Sequence, residues 1–185
     1  MSTLRPLALA LALAPFVTHS TSAYAADSDH GRFYVQGSPL GTSLLFYPET
    51  DFSYGGTLAF YRLDLELGAH FPSSHADGLA FGVRQTFLLG HGSGGTTTAR
   101  AGYDLAFPLG DQLELVVAPY LHLGVGYAFS GGDAAFHLGF GVEGRVFPSK
   151  SSGVYAMLRP VEVDFNFQSP VVPIYTVAAG VGYAF

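Results

Sequence analysis

Leu113-Glu114-Leu115-Val116-Val117-Ala118-Pro119-Tyr120-Leu121-His122-Leu123-Gly124-Val125-Gly126-Tyr127-Ala128-Phe129 interleaves two different faces. The odd positions are Leu, Leu, Val, Pro, Leu, Leu, Val, Tyr and Phe; the even ones are Glu, Val, Ala, Tyr, His, Gly, Gly and Ala. Successive side chains of a strand point to opposite sides. The stretch therefore reads as a long strand with one bulky apolar face and one small, polar face. Helical spacing is absent.

The same alternation spreads outward from this segment. Ser130-Gly131-Gly132-Asp133 is a hairpin signal. Beyond it, Ala134, Phe136, Leu138, Phe140, Val142 and Val146 alternate with His137, Gly139, Gly141, Glu143 and Arg145. Leu63-Leu65-Leu67, Ala99-Ala101-Tyr103-Leu105 and Val161-Val163-Phe165 likewise alternate with charged or small residues. Phe-Pro recurs at Phe71-Pro72, Phe107-Pro108 and Phe147-Pro148, and the chain ends at Phe185, at intervals of 36, 40 and 38 residues. Each interval suits one hairpin. Proline cannot donate to a ladder, so each Phe-Pro is expected to end a strand at one level, with its Phe in an interfacial aromatic girdle. Four hairpins make eight strands: Gly31–Ser38, Ser53–Phe71, Leu79–Leu89, Thr96–Phe107, Leu113–Phe129, Ala134–Phe147, Val154–Phe167 and Ile174–Phe185. Residues 39–61 leave a ten-stranded alternative open, through a strand at Ser43–Tyr47 and a break near Arg62. The apolar run Leu44-Leu45-Phe46-Tyr47 can instead extend the first strand past Pro39.

Composition says which way the faces point. Only 12% of the chain is charged while 49% is hydrophobic, and Lys150 is the one lysine. A soluble domain covers itself with charged residues at about a quarter of its positions. A water-facing exterior would not be built of glycine and a single lysine, whereas a narrow, filled lumen accommodates small residues and paired charges. The apolar faces thus belong in lipid. The fold class is all-β: a transmembrane antiparallel up-and-down β-barrel. Gly124, on the inward face, is expected to leave room for a methyl group.

The N-terminus adds a secretory reading. Arg5, the apolar run Pro6–Val17 and the small-residue pattern Ala23-Tyr24-Ala25 form a signal peptide over residues 1–25. That apolar run is too short to span a bilayer as a helix. Residues 26–30 form a short tail and 31–185 the barrel. No cysteine occurs, which excludes lipoprotein anchoring, disulfides and thiolate metal sites. Without residues 1–25, 7 basic residues face 14 acidic ones, a balance that disfavours nucleic acid as a partner.

In the last segment Tyr175, Val177, Ala179, Val181, Tyr183 and Phe185 share one face. The terminal Val181-Gly182-Tyr183-Ala184-Phe185 resembles the C-terminal signature of the small, eight-stranded outer-membrane β-barrels of Gram-negative bacteria, the porin-like and opacity-type superfamily. That resemblance implies that Val181, Tyr183 and Phe185 form an assembly signal read by the barrel assembly machinery, and that this strand closes against the first. It also implies contact with outer-membrane lipid and lipopolysaccharide, and a monomer is expected. Closure is required on physical grounds too, because an open sheet edge leaves unpaired backbone groups in lipid.

Barrels of this family include inert anchors, narrow pores, adhesion proteins and lipid A-modifying enzymes. Here the inward candidates are Arg62, Asp64, Glu66, Arg84, Arg100, Asp104, Glu114, His122, His137, Glu143, Arg145, Glu162 and Asp164, with His70 as a further inward histidine. Unpaired charge inside a narrow barrel is costly, so these residues read as a cross-strand salt-bridge network; a channel lining is the alternative. Pairing Phe129 with Ala134 makes His122 and Glu143 diagonal neighbours, a possible base and orienting acid. No inward serine sits on either strand, and the His-x-Ser-Asn run of the lipid A deacylases is absent, so no catalytic set is assigned. No metal or cofactor site is assigned either: His70 and His75 lack ligand spacing, and Gly92-Ser93-Gly94-Gly95 links two strands rather than opening a helix. The outer loops, near Pro39–Phe52, Gly90–Gly95, Ser130–Asp133 and Gln168–Pro173, are short for an adhesin. The expected role is that of an outer-membrane barrel with a polar, largely filled lumen, structural or narrow-pore. A lipid A- or phospholipid-modifying enzyme and a carrier of small hydrophobic molecules are the alternatives.

Overall fold

A computed structural model describes residues 31–47, 56–71, 78–90, 93–130, 134–149, 151–167 and 171–185. The signal-peptide and tail segments, His75, Lys150 and the outer-loop residues 48–52, 91–92, 131–133 and 168–170 lie outside that set. Eight strands follow in chain order: β1 (Phe33–Tyr47), β2 (Gly56–Phe71), β3 (Gly78–Leu89), β4 (Gly94–Leu109), β5 (Leu113–Ala128), β6 (Ala135–Phe147), β7 (Val154–Asn166) and β8 (Val172–Ala184). Each pairs antiparallel with its chain neighbour, and β8 returns to β1 to close the barrel. Closure at eight rules out the ten-stranded alternative. At the seam, Phe33 and Phe185 exchange backbone hydrogen bonds of 3.0 and 2.8 Å. No sheet edge is left for lipid to meet.

Leu65, Leu67, Val83, Leu121, Leu123, Phe140 and Val181 are exposed on the outside, and the charged residues of the same strands are buried inside. This inverts the arrangement of a soluble barrel and suits a lipid surround.

The strands depart from the sequence reading where proline occurs. β1 does not stop at Ser38. It carries an extra residue at Pro39–Leu40, both outward, and continues to Tyr47. The bulge tolerates the missing N–H, and the Tyr61 hydroxyl donates to the Pro39 carbonyl oxygen. Leu44 and Phe46 face outward and Ser43 inward, so the apolar run extends the strand. β7 carries the matching irregularity at Arg159–Glu162, where Pro160 and Val161 both face out. β4 runs through Pro108, which lies opposite Glu114, so that Phe-Pro does not end its strand.

Phe147 corrects the girdle expectation. It follows the outward Val146, so strand parity turns it into the lumen, where it is fully buried. Together with Tyr34, Ala106, Val116, Tyr155, Met157 and Ala184 it forms an apolar plug near the end where β1 begins and β8 ends. Its ring lies 4.8 Å from that of Tyr155, centroid to centroid.

Candidate functional site in the barrel lumen

Each inward side chain has its place because strand alternation aims every second residue at the axis. Glycines on the facing walls make room for the large ones. A Cβ at Gly68 would collide with the Tyr34 ring and one at Gly182 with the Tyr155 ring, while one at Gly141 would lie 2.7 Å from the Tyr120 hydroxyl. An eight-stranded interior is just wide enough for side chains to fill it, and here they do.

Above the plug lies a lattice of guanidinium and carboxylate groups. Arg84 on β3 reaches Glu162 on β7 at 2.6 Å; four strands apart in a ring of eight, these two walls face each other across the lumen. Arg159 on β7 bridges Asp64 on β2 at 2.5 Å and Glu143 on β6 at 2.7 Å. Arg100 meets Glu66 at 2.6 Å and stacks over the Tyr120 ring, 4.1 Å from its centroid. Arg145 holds Asp104 at 2.8 Å and Glu143 at 2.7 Å. Arg62 contacts Glu162 at 2.6 Å, Asp64 at 2.8 Å and Asp164 at 3.1 Å. Hydroxyls complete the lattice: Tyr34 donates to Glu66 over 2.7 Å, and Tyr120 donates to Glu162. In so buried a space each such pair is strong, and removing one partner is severe.

Every inward candidate of the sequence analysis lies in this lumen and is buried, including Glu114, His122 and His137. The predicted approach of His122 to Glu143 does not occur. The ladder pairs Gly126 with Ala135, which sets His122 opposite Gly139 and Glu143 opposite Ala118. The register is two residues away from the pairing of Phe129 with Ala134. His122 meets Asp164 instead, Nε2 to Oδ1 at 2.9 Å, and His137 Nε2 approaches the same oxygen at 3.3 Å. His70 lies toward the plug, 2.9 Å from Asp104. On β1, Ser43 shares a hydrogen bond of 2.8 Å with Thr176. At the seam, Val181, Tyr183 and Phe185 face outward, and the Tyr183 and Phe185 rings stack at 6.2 Å.

No family model matches the chain, and no curated protein matches it. Solved structures do. Neisserial surface protein A superposes with a TM-score of 0.53 over 83% of this chain and 97% of that one, at 17% identity. It is a small eight-stranded outer-membrane barrel. The chain has the fold of a small outer-membrane β-barrel. Ail, the attachment invasion locus protein of Yersinia pestis, gives a TM-score of 0.42 over 84% of this chain and 99% of that one, at 14% identity. A de novo designed transmembrane β-barrel gives 0.36 over 85% and 98%, at 19% identity.

Within this barrel one member of the lattice escapes strict alternation. Arg159 has the odd numbering of the outward Val161, Val163 and Phe165, yet it is fully buried. The β7 bulge shifts parity by one between Arg159 and Glu162. A signal for it was present in the sequence. An arginine on the lipid face at mid-strand costs about 2–4 kcal/mol, and Arg159-Pro160 joins such an arginine to a residue that favours bulges.

Proposed function

We propose that residues 1–25 deliver this chain across the inner membrane and are cleaved, and that 31–185 then serve in the outer membrane of a Gram-negative cell as a monomeric, non-enzymatic barrel with a closed lumen. It acts as a structural wall rather than an open pore. The observation that carries this reading is the pairing of opposite walls, Arg84 on β3 with Glu162 on β7 at 2.6 Å, above a plug in which Val116, Phe147 and Tyr155 have no exposed surface. An ion crossing the lumen would have to displace paired charges and then pass a dry aromatic layer. Among the described residues no histidine is hydrogen-bonded to a serine: His122 faces Asp164 and His137, the inward Ser43 is engaged with Thr176, and the buried Ser38 hydroxyl has no hydrogen-bond partner. Barrel assembly machinery acting on the C-terminal strand, together with lipopolysaccharide around the apolar wall, completes the set of partners.

Single-channel recording of the refolded barrel in a planar bilayer tests the reading. The expected trace shows no sustained conductance above the bare membrane. A stable, ion-selective current through wild-type protein would overturn it.

A further inference from the structure

We propose that His122, His137 and Asp164 form a binding site for a divalent transition metal, zinc being the best match, at the loop end of the lumen. The three residues come from three consecutive strands, β5, β6 and β7, and their nearest ligand atoms all lie within 4.8 Å of one another. Sequence spacing could not show this, since the register of two hairpins sets it.

The geometry points to a metal rather than to hydrogen bonds alone. Asp164 Oδ1 lies 2.9 Å from His122 Nε2 and 3.3 Å from His137 Nε2. Two ligands bound tetrahedrally to zinc at about 2.0–2.1 Å stand about 3.3 Å apart. Despite the short approach, Asp164 Oδ1 and both ring nitrogens of His122 are buried without an aligned hydrogen bond. Buried polar atoms of native proteins rarely lack a partner. Two of these atoms, Asp164 Oδ1 and His122 Nε2, face one point together with His137 Nε2. The other carboxylate oxygen is occupied: Arg62 Nη1 donates to Asp164 Oδ2 at 3.1 Å. That bond orients Oδ1 toward the histidines, as outer-shell partners of metal ligands do. The wall beside the cluster is Gly139, where a Cβ would collide with both Asp164 Oδ1 and His122 Nε2. Only glycine leaves that space.

Charge supports the same conclusion. Among the described residues, Arg62, Arg84, Arg100, Arg145 and Arg159 are buried against seven carboxylates, a formal excess of two negative charges, counting the histidines as neutral, that one divalent cation balances. The shortfall reaches Asp164 directly, because Arg62 is its one guanidinium contact among those described and also serves Asp64 and Glu162. Two imidazoles and one carboxylate suit zinc, with the fourth position left to water. Access comes from the loop end: Phe60, Thr96 and Ile174 near that rim keep 7–8% of their surface exposed, whereas Val116, Phe147 and Tyr155 at the plug keep none.

Cobalt(II) titration of the refolded full barrel in detergent tests the site, with heat-modifiable gel mobility as the check on folding. The expected result is one equivalent per chain with an intense visible ligand-field band, displaced by zinc(II). His122→Gln and His137→Gln are each expected to abolish the band and weaken binding at least tenfold. On wild-type protein alone, zinc is expected to shift the imidazole nitrogen resonances of two histidines and spare the others. That measurement decides the matter if the variants fail to fold. Absence of bound cobalt in the wild type overturns the proposal. So does binding that survives both substitutions, which would place the metal on other residues, or a titration in which no pair of imidazoles responds to zinc.

Discussion

Gly124 shows how little the inward direction of a residue says about its room. It faces the lumen, where a methyl was expected to fit, but a Cβ there would collide with the Thr97 carbonyl oxygen and lie 2.7 Å from Thr98 Cα. These are backbone atoms of β4 and cannot swing away. Gly126, two residues on, would place its Cβ 3.6 Å from a Thr96 methyl, in ordinary contact. Gly124→Ala should therefore lower stability by about 1–3 kcal/mol through overpacking, and Gly126→Ala should stay within about 0.5 kcal/mol of wild type. Urea unfolding from detergent micelles compares the two, and equal stability would contradict the close approach of β4 and β5. Arg145 makes the complementary case for charge. It bridges Asp104 and Glu143 and lies over the Tyr34 and Tyr155 rings at 5.3 and 5.8 Å. Arg145→Met removes one guanidinium from each of two buried carboxylates, while Glu143 keeps Arg159 and Asp104 keeps His70, so a loss of about 3 kcal/mol is expected in the same assay. A pore reading expects unchanged stability and altered ion selectivity, and both can be measured on the one variant.

At the scale of the strand, the two proline bulges carry the clearest consequence. Pro160 is the extra residue of β7: Arg159 pairs with Ala178 and Glu162 with Thr176, three steps on one strand against two on its neighbour. Deleting Pro160 should regularise the strand while leaving Arg159 and Glu162 inward, so the barrel should still fold. Deleting Leu158 should instead turn Arg159 to lipid, at a cost of about 2–4 kcal/mol. Heat-modifiable mobility of the two refolded deletions is the check; a folded Leu158 deletion beside an unfolded Pro160 deletion would reverse the argument. These bulges also mark where the strands were legible and where they were not. β5 and β6 could be read nearly to the residue because unbroken alternation has one solution. At β1 the pattern divides between an end at Ser38 and a continuation past Pro39, and at β7 it assigns Arg159 no inward place, because a bulge breaks the period-two alternation.

For the molecule as a whole, closure is what makes the strands a membrane protein. Phe185 supplies the last backbone pair to Phe33 and an exposed ring that stacks on Tyr183. Phe185→Asp should reduce folded outer-membrane protein several-fold at unchanged secretion, as measured by cell fractionation; equal folded amounts would remove this residue from assembly. Phe147 serves closure of another kind, sealing the lumen. Phe147→Ala should lose about 3–5 kcal/mol yet open no channel, because the lattice above the plug remains, and unfolding and bilayer recordings on the same preparation test both halves.

By itself the sequence determined the class of the protein. Alternation of bulky apolar residues with glycine and charge, one lysine and an aromatic C-terminal strand can be satisfied only by a barrel with lipid outside and a polar lumen. Direction along a strand is local information, carried by each residue and its neighbours. The tertiary structure alone decided who meets whom across that lumen: His122 with Asp164 rather than Glu143, Arg84 with Glu162 on the opposite wall, Phe147 in the plug rather than the girdle. Those partners depend on hairpin register and on the two bulges, and a shift of one or two residues in either reassigns every contact without changing the alternation from which the fold was read.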